Sequence, residues 1–263
     1  SFKYGTAKPH ELIERTAQFG APALAITDRD SLAGVIRFVT ACKDFGIAPI
    51  VGVNLQMGNS NSNPGRVMLL AQSGTGRDSG WRSLCRLMSA LRPDRNPPIL
   101  HLEKIKNLSE YTSNLILLHG SESEVANLIG KNRPDLALKE FNKYRPFFAD
   151  SVIECTSHLV AGDGPRSTNH AARMLGFARD HDLPAVITNA IRMLNRQDGP
   201  IADILDSARK LVPLHPRHVE RKNNEAYLKS DEEMRALADE IARAAGERNA
   251  RQLLRTTQRI AER

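Results

Sequence analysis

Short apolar runs alternate with helix-forming segments along most of the chain, and this alternation constrains the fold more than any other feature of the sequence. Each run is rich in Val, Ile and Leu and is bounded by Gly, Pro, Asn or Asp, as buried strands are. The six runs are Ala23–Asp28, Ala48–Met57, Arg66–Gln72, Asn114–His119, Ser151–Thr156 and Ala185–Ala190. Strands this uniformly apolar suit a parallel sheet that is covered on both faces. The pattern therefore predicts an α/β fold.

Helical patterns connect these runs, as neighbouring parallel strands require. Those before residue 211 are Pro9–Phe19, Ser31–Phe45, Trp81–Leu91, Glu122–Ile129, Pro134–Tyr144, Arg166–His181 and Gln197–Lys210. The first begins with a proline, and the first two stop at a glycine, as many helices do. The pattern of apolar and charged residues in 231–263 predicts two more helices. Two segments rich in turn-forming residues, Gly58–Gly65 and Leu211–Asn224, predict loops.

Composition excludes several classes of protein. Of the 263 residues, 41% are hydrophobic, which is enough for a core and excludes a wholly disordered chain. No apolar run approaches the ~20 residues of a membrane-spanning helix, so we expect no membrane partner. Cys42, Cys85 and Cys155 are too widely spaced for a CxxC motif, which favours a reducing, cytoplasmic setting. The net charge of +7 allows an acidic partner such as DNA without requiring one.

Five longer segments carry more specific motifs. They are GTAKPHELIERTAQFGAPALAITDRDSLAGVIRF, PIVGVNLQM, VMLLAQSGTGRDSGWRSLCRLMSAL, LPAVITNAIRMLNRQDGPIADIL and AYLKSDEEMRAL. Together they resemble the PHP domain (polymerase and histidinol phosphatase) of bacterial C-family DNA polymerases, and within that family the error-prone branch of the DNA polymerase III alpha type. The resemblance runs from Phe2 to about Ile260.

The resemblance implies a distorted seven-stranded (βα) barrel of the TIM-like type. The family's first strand carries an H-x-H-S motif and would precede Phe2, so the six strands here plus that strand would make seven. Residues 1–230 would form the barrel, and residues 231–263 a helical extension towards the polymerase domains. Since the chain also starts abruptly at Ser1, we expect a piece of a longer protein.

The same resemblance implies what the parent protein does. It would be a DNA-directed DNA polymerase, a nucleotidyltransferase acting in DNA replication or translesion repair. The expected partners are the remaining domains of that polymerase, and DNA is a possible one. The carboxylates for nucleotidyl transfer would lie in a palm domain outside this chain, so the chain itself should not polymerise DNA.

Active PHP domains hold up to three metal ions at the carboxyl ends of the barrel strands, where βα barrels place their chemistry. This sequence departs from the implied metal-binding pattern at five positions. Tyr4 replaces an acid, Arg29 replaces a histidine, and Asn54 replaces a glutamate. Ala190 and Arg192 stand where the family has Asp and His. The resemblance therefore points to a degenerate metal site.

Four potential ligands remain at or near the expected mouth of the barrel: Asp28, His119, Glu154 and His158. His and carboxylate groups suit zinc, manganese or iron. We expect the arginines that replace ligands to supply the metals' positive charge and to bind Asp28 and Glu154 by hydrogen bonds.

A guanidinium group is always charged and has no lone pair for a cation. We therefore expect no catalytic residue, no bound metal and no cofactor in this chain, and a structural or interaction role. The alternative is a metal-dependent phosphoesterase or 3′–5′ proofreading exonuclease that uses zinc or manganese. That alternative requires the H-x-H strand to restore the site.

The last predicted helix carries arginines at spacings of three and four residues: Arg248, Arg251, Arg255, Arg259 and Arg263. At about 100° per residue these side chains fall on one side of the helix, roughly opposite its apolar residues. An ordinary solvated face and a contact with DNA or a partner both remain open.

Overall fold

The computed structural model describes residues 4–58, 65–74, 79–91, 98–219 and 221–263. Within them, seven strands form one sheet: β1 (Ala23–Arg29), β2 (Ala48–Met57), β3 (Gly65–Ala71), β4 (Ile99–Leu100), β5 (Leu115–His119), β6 (Asp150–Cys155) and β7 (Ala185–Ile187). The strand order is β1-β2-β3-β5-β6-β7, and the two-residue β4 pairs with β2. All six predicted strands are confirmed, whereas no sequence pattern predicted β4.

The same residues contain the predicted helices and two short extra ones. They are α1 (Pro9–Gln18), α2 (Val35–Phe45), α3 (Gly80–Ala90), α4 (Leu102–Asn107), α5 (Ser109–Thr112), α6 (Glu124–Gly130), α7 (Pro134–Tyr144), α8 (Thr168–Asp180), α9 (Gly199–Lys210), α10 (Asp231–Ala244) and α11 (Arg251–Ala261). Local chemistry sets their ends. Gly46 adopts the left-handed conformation that ends α2, and Ser230 caps α10 by accepting a hydrogen bond from the Glu233 amide.

The structure describes the two predicted loops to different extents. Residues 59–64 lie outside the described residues, and Gly65 already belongs to β3. Between α9 and α10 the described chain is irregular except for one turn of 3₁₀ helix at Pro216–His218.

Strand direction departs from the prediction at β3. β1 runs parallel to β2, and β5, β6 and β7 run parallel to one another. β3, however, is antiparallel to both of its neighbours. A crossover between parallel strands takes about a dozen residues, and only residues 58–64 connect β2 to β3. The expectation of parallel neighbours throughout is therefore wrong for this strand.

The sheet curls so that its two faces bury different cores, which confirms the α/β class and the barrel-like architecture. A small cluster fills the inner face: Ile50, Met68, Leu70, Ile116, Leu118, Val152, Val186 and Ile260. Larger clusters lie between the outer face and the helices. β1 and β7 stand at the two ends of the strand order, so the described sheet is an open half-barrel.

The two C-terminal helices pack on this core. α10 lies against α8, and α11 lies along β7. Ile260 of α11 enters the inner cluster, and the Thr257 hydroxyl accepts a hydrogen bond of 2.9 Å from the Ile187 amide. α11 thereby satisfies a donor on the outer edge of β7. A domain boundary at residue 230 stays a prediction.

Among the residues that the structure describes, no helix combines the length and the hydropathy that crossing a bilayer requires.

Candidate functional site at the carboxyl edge of the sheet

Polar residues follow the inner cluster at the edge of the sheet where β1, β2, β6 and β7 end and antiparallel β3 begins, an edge that we call the rim. Side chains alternate between faces along a strand. Asn54 therefore shares the inner face with Ile50, and Glu154 shares it with Val152. Because β3 runs in the opposite direction, its second residue, Arg66, also lies at the rim, paired in register with Gln56.

Tyr4 connects two of the rim arginines. The guanidinium carbon of Arg29 lies 3.8 Å from the centre of the Tyr4 ring, and that of Arg192 lies 4.4 Å from it. Arg29 also donates a hydrogen bond of 3.0 Å to the Tyr4 hydroxyl, and Arg192 donates one of 2.9 Å to the Tyr4 carbonyl. Both arginines that depart from the family pattern therefore meet at Tyr4, which departs from it as well.

Arg192 forms a buried ion pair with Asp206 of α9. Its Nη1 and Nη2 lie 2.9 and 2.6 Å from the two carboxylate oxygens, and Nη2 also donates to the Ala202 carbonyl. Asp206 is fully buried and Arg192 is 8% exposed. Burial raises the pKa of Asp206, but the hydrogen bonds from Arg192 and Arg209 outweigh that effect and hold it below its usual value. The expectation that Arg192 binds Asp28 or Glu154 is wrong.

Arg66, which the sequence analysis did not identify, holds the ends of β1 and β2 together. Its Nε donates to the Asn54 side-chain oxygen at 2.5 Å, and its Nη2 donates to the Asn54 carbonyl at 2.8 Å. The same Nη2 lies 2.9 Å from a carboxylate oxygen of Asp30, whose φ is +54°. The length of the connection before β3 was the one signal that could have placed this arginine at the rim.

Glu122 links Arg29 to a further arginine, Arg166. One carboxylate oxygen lies 3.5 Å from Arg29, and the other accepts a short hydrogen bond from Arg166. Neither Glu122 nor Arg166 had a role in the sequence-based site. Both follow strands, β5 and β6 respectively, and reach the rim from loops.

Glu154 is the buried acid of the inner face. It is 2% exposed, and one carboxylate oxygen accepts a hydrogen bond of 2.5 Å from Thr188. Burial raises the pKa of Glu154 to about 7, although Thr188 and Arg166 act in the opposite direction. Gly120 approaches closely, because a Cβ there would lie 2.1 Å from the second carboxylate oxygen. This carboxyl therefore sits in a tight, nearly dry pocket.

Two expected rim residues lie on the other face of the sheet. Asp28 accepts a hydrogen bond of 3.1 Å from the Gly34 amide at the start of α2. His119 packs against Phe141 of α7, with ring centres 5.0 Å apart, and its two buried ring nitrogens have no hydrogen-bond partner among the described residues. Burial lowers the pKa of His119 to about 3. Both residues therefore lie near the carboxyl ends of their strands but face the helices, because they alternate with the inward-facing positions.

His158 and Ala190 lie beyond the ends of β6 and β7. The His158 Nε2 lies 2.7 Å from the Asn189 carbonyl, and burial lowers the pKa of the imidazole to about 4. Ala190 is exposed, with a φ of +42°. His158 therefore makes a backbone hydrogen bond, and Ala190 brings no donor atom to the rim.

These side chains do not fit a divalent metal cluster. Within the described residues, no group of three or more His, Cys, Asp or Glu side chains is placed to hold a metal ion. The rim instead carries the guanidinium groups of Arg29, Arg66, Arg166 and Arg192, which repel cations and offer no lone pair. Such a set can bind carboxylates and aromatic rings, and it cross-links chain segments.

The half-barrel with polar side chains at its carboxyl edge defines the class of this protein. Residues 1–158 match the PHP domain family, so the chain belongs to that family. The DNA polymerase III subunit alpha of Xylella fastidiosa is 28% identical over 243 residues, a match covering 89% of this chain and 19% of that protein. An error-prone DNA polymerase of Symbiobacterium thermophilum is 30% identical over 255 residues, covering 89% and 22%. The resemblance to these polymerases is confirmed, and the chain spans about a fifth of their length.

A looser likeness is to a solved structure, an amidohydrolase of Chromobacterium violaceum. It has a TM-score of 0.47 and 14% sequence identity, and the match covers 72% of this chain and 84% of that one. The fold assignment depends on the strand order and the family match instead.

Proposed function

We propose that this chain is the PHP domain of a cytoplasmic DNA polymerase III alpha-like protein of the error-prone type, in which it serves as a structural module. In this proposal the rim is held by arginine–carboxylate contacts and carries out no metal-dependent hydrolysis. The observation that carries the proposal is the buried two-point pair between Arg192 and Asp206, together with the stacking of Arg192 on Tyr4.

Electrostatics support this role. A guanidinium keeps its proton at any physiological pH, so Arg29 and Arg192 oppose a cation nearby. Removing one partner from a buried ion pair costs about 3–5 kcal/mol, since the other charge is left unpaired. A metal ion that displaced Arg192 from Asp206 would have to offset a cost of that size.

The contacts of Arg192 support a structural role for this domain, because they join separate segments of the chain. They join the N-terminal segment at Tyr4, the segment after β7, and α9 at Ala202 and Asp206. In a metal-binding rim, ligands from several strands meet at the ions. Here one arginine makes the comparable cross-links, which supports a shape-keeping role within the parent polymerase.

An activity assay tests the proposal. A longer form of the chain that includes the H-x-H strand implied by the resemblance is incubated with Mn²⁺ or Zn²⁺ and either a phosphodiester such as bis(p-nitrophenyl) phosphate or a 3′-labelled DNA strand. We expect no hydrolysis above the metal-only background. A metal-dependent member of the PHP family, purified in the same way, serves as the positive control. Hydrolysis that depends on added metal and disappears in Glu154→Gln would favour the phosphoesterase or exonuclease alternative and overturn the proposal.

A further inference from the structure

The outward face of α11 carries arginines that make no ion pair with the described residues. Four arginines, Arg248, Arg251, Arg255 and Arg259, form what we call the arginine stripe; all four are exposed, and within the described residues none makes an ion pair. Other arginines of the molecule, such as Arg66, Arg192 and Arg221, pair with carboxylates. Arg263, which the sequence grouped with the stripe, instead lies 2.6 Å from a carboxylate oxygen of Asp150.

Packing fixes the direction in which the stripe points. Leu253, Thr256 and Ile260 are buried on the opposite side of α11, and Thr257 binds the edge of β7. At 100° per residue, the three helical arginines of the stripe fall within one sector of the helix. The buried side of α11 therefore fixes the orientation of the helix. Its guanidinium groups point to solvent and are spaced about 6 Å apart along the helix axis.

The chemistry of this face favours phosphates over a protein surface. A protein-binding patch usually has an apolar centre surrounded by polar residues. Here the remaining exposed side chains of α11 are small or polar: Gln252, Gln258 and Ala261. The helix itself contains no acid, and Glu262, which follows it, accepts a hydrogen bond of 2.9 Å from Gln258. Arg and Gln side chains are typical contacts to nucleic-acid phosphates.

We infer that the arginine stripe is a binding face for the phosphate backbone of DNA, without base specificity. The excess of basic residues in the chain and its similarity to DNA polymerases agree with such a partner. The inference goes beyond the structural role of the rim and does not depend on it, because α11 binds the free edge of β7 and shares no residue with the rim.

Fluorescence anisotropy with a labelled DNA duplex of random sequence tests this inference. Binding is measured from about 50 to 200 mM salt, since each phosphate contact contributes a slope of roughly −0.9 to the dependence of log K on log salt. The test variant is R251Q/R255Q/R259Q. The charge-matched control is R37Q/R82Q/K139Q, which alters three exposed cations on α2, α3 and α7.

We expect the chain to bind the duplex and the stripe variant to lose at least about tenfold in affinity, with a salt slope shallower by roughly 2 to 3. The control should keep the affinity and slope of the unaltered chain. Equal losses in both variants would show that net charge alone matters and would overturn the inference. So would the absence of binding at the lowest salt concentration. All six side chains are exposed, so both variants should fold like the unaltered chain. Circular dichroism spectra that match those of the unaltered chain would check this.

Discussion

Arg192 makes more of the contacts described at the rim than any other residue does. Its guanidinium binds two oxygens of Asp206, one carbonyl of α9, and both the ring and the carbonyl of Tyr4. A histidine at this position would have at most two ring nitrogens for the same partners. An arginine at this position can therefore hold more partners at once than a histidine could.

The first prediction compares the two arginines that bind Asp206. Arg192→Met should lower the free energy of unfolding by about 3–5 kcal/mol, because it leaves a buried carboxylate with half of its partners. Arg209→Met, which removes a partner that is about one-third exposed, should cost about 1 kcal/mol or less. Urea unfolding of both variants measures the difference. Equal losses would contradict the central place given to Arg192.

The second prediction concerns Glu154. Because burial raises its pKa from 4.5 to about 7, the folded state holds a proton that the unfolded state releases. The contribution of this carboxyl to stability should therefore be greatest below pH 4.5 and fall as the pH rises towards 7. Glu154→Gln keeps an acceptor for Thr188 and removes the titration. Its stability relative to the unaltered chain should rise from pH 4.5 to 7, as urea unfolding across pH would show; a constant difference would refute this.

At the scale of elements, the sequence predicted where strands and helices form more reliably than which face of the sheet each side chain lies on. Apolar runs and glycine or proline boundaries located six strands and most helix ends. The same runs are apolar on both faces, so they could not show that Asp28 and His119 face the helices while Glu154 faces inward. Arg66 was not identified because its strand, β3, runs antiparallel to both neighbours. Asp206 was not identified because its partner, Arg192, lies in a separate segment of the chain.

α11 provides the third prediction, which tests its contact with the edge of β7. Thr257→Val removes the hydroxyl that accepts the Ile187 amide hydrogen and should cost about 1 kcal/mol. Thr256→Val makes the same change one residue earlier, at a buried side chain directed into the core. Hydrogen exchange should show faster exchange of the Ile187 amide in Thr257→Val alone. Unchanged protection there would mean that α11 does not cover this edge.

At the scale of the whole molecule, the rim closes an open sheet by contacts between distant segments. β1 and β7 lie at opposite ends of the strand order, and residues 4–6 span the gap between their carboxyl ends. Tyr4 contacts Arg29 at the end of β1, and the Thr6 amide donates a hydrogen bond of 2.9 Å to the Arg192 carbonyl beyond β7. Arginine, tyrosine and buried carboxylates thus connect the two sides of the half-barrel.

The most direct test of this account, and its fourth prediction, is the metal content of the folded chain. The protein is equilibrated with equimolar Zn²⁺ and Mn²⁺, freed of unbound ions, and measured by inductively coupled plasma mass spectrometry alongside its thermal unfolding. Arginines at the rim predict far less than one ion per chain and the same unfolding temperature with metal or with chelator, because a ligand stabilises only a native state that binds it. One or more ions per chain, with a higher unfolding temperature that Glu154→Gln abolishes, would contradict it.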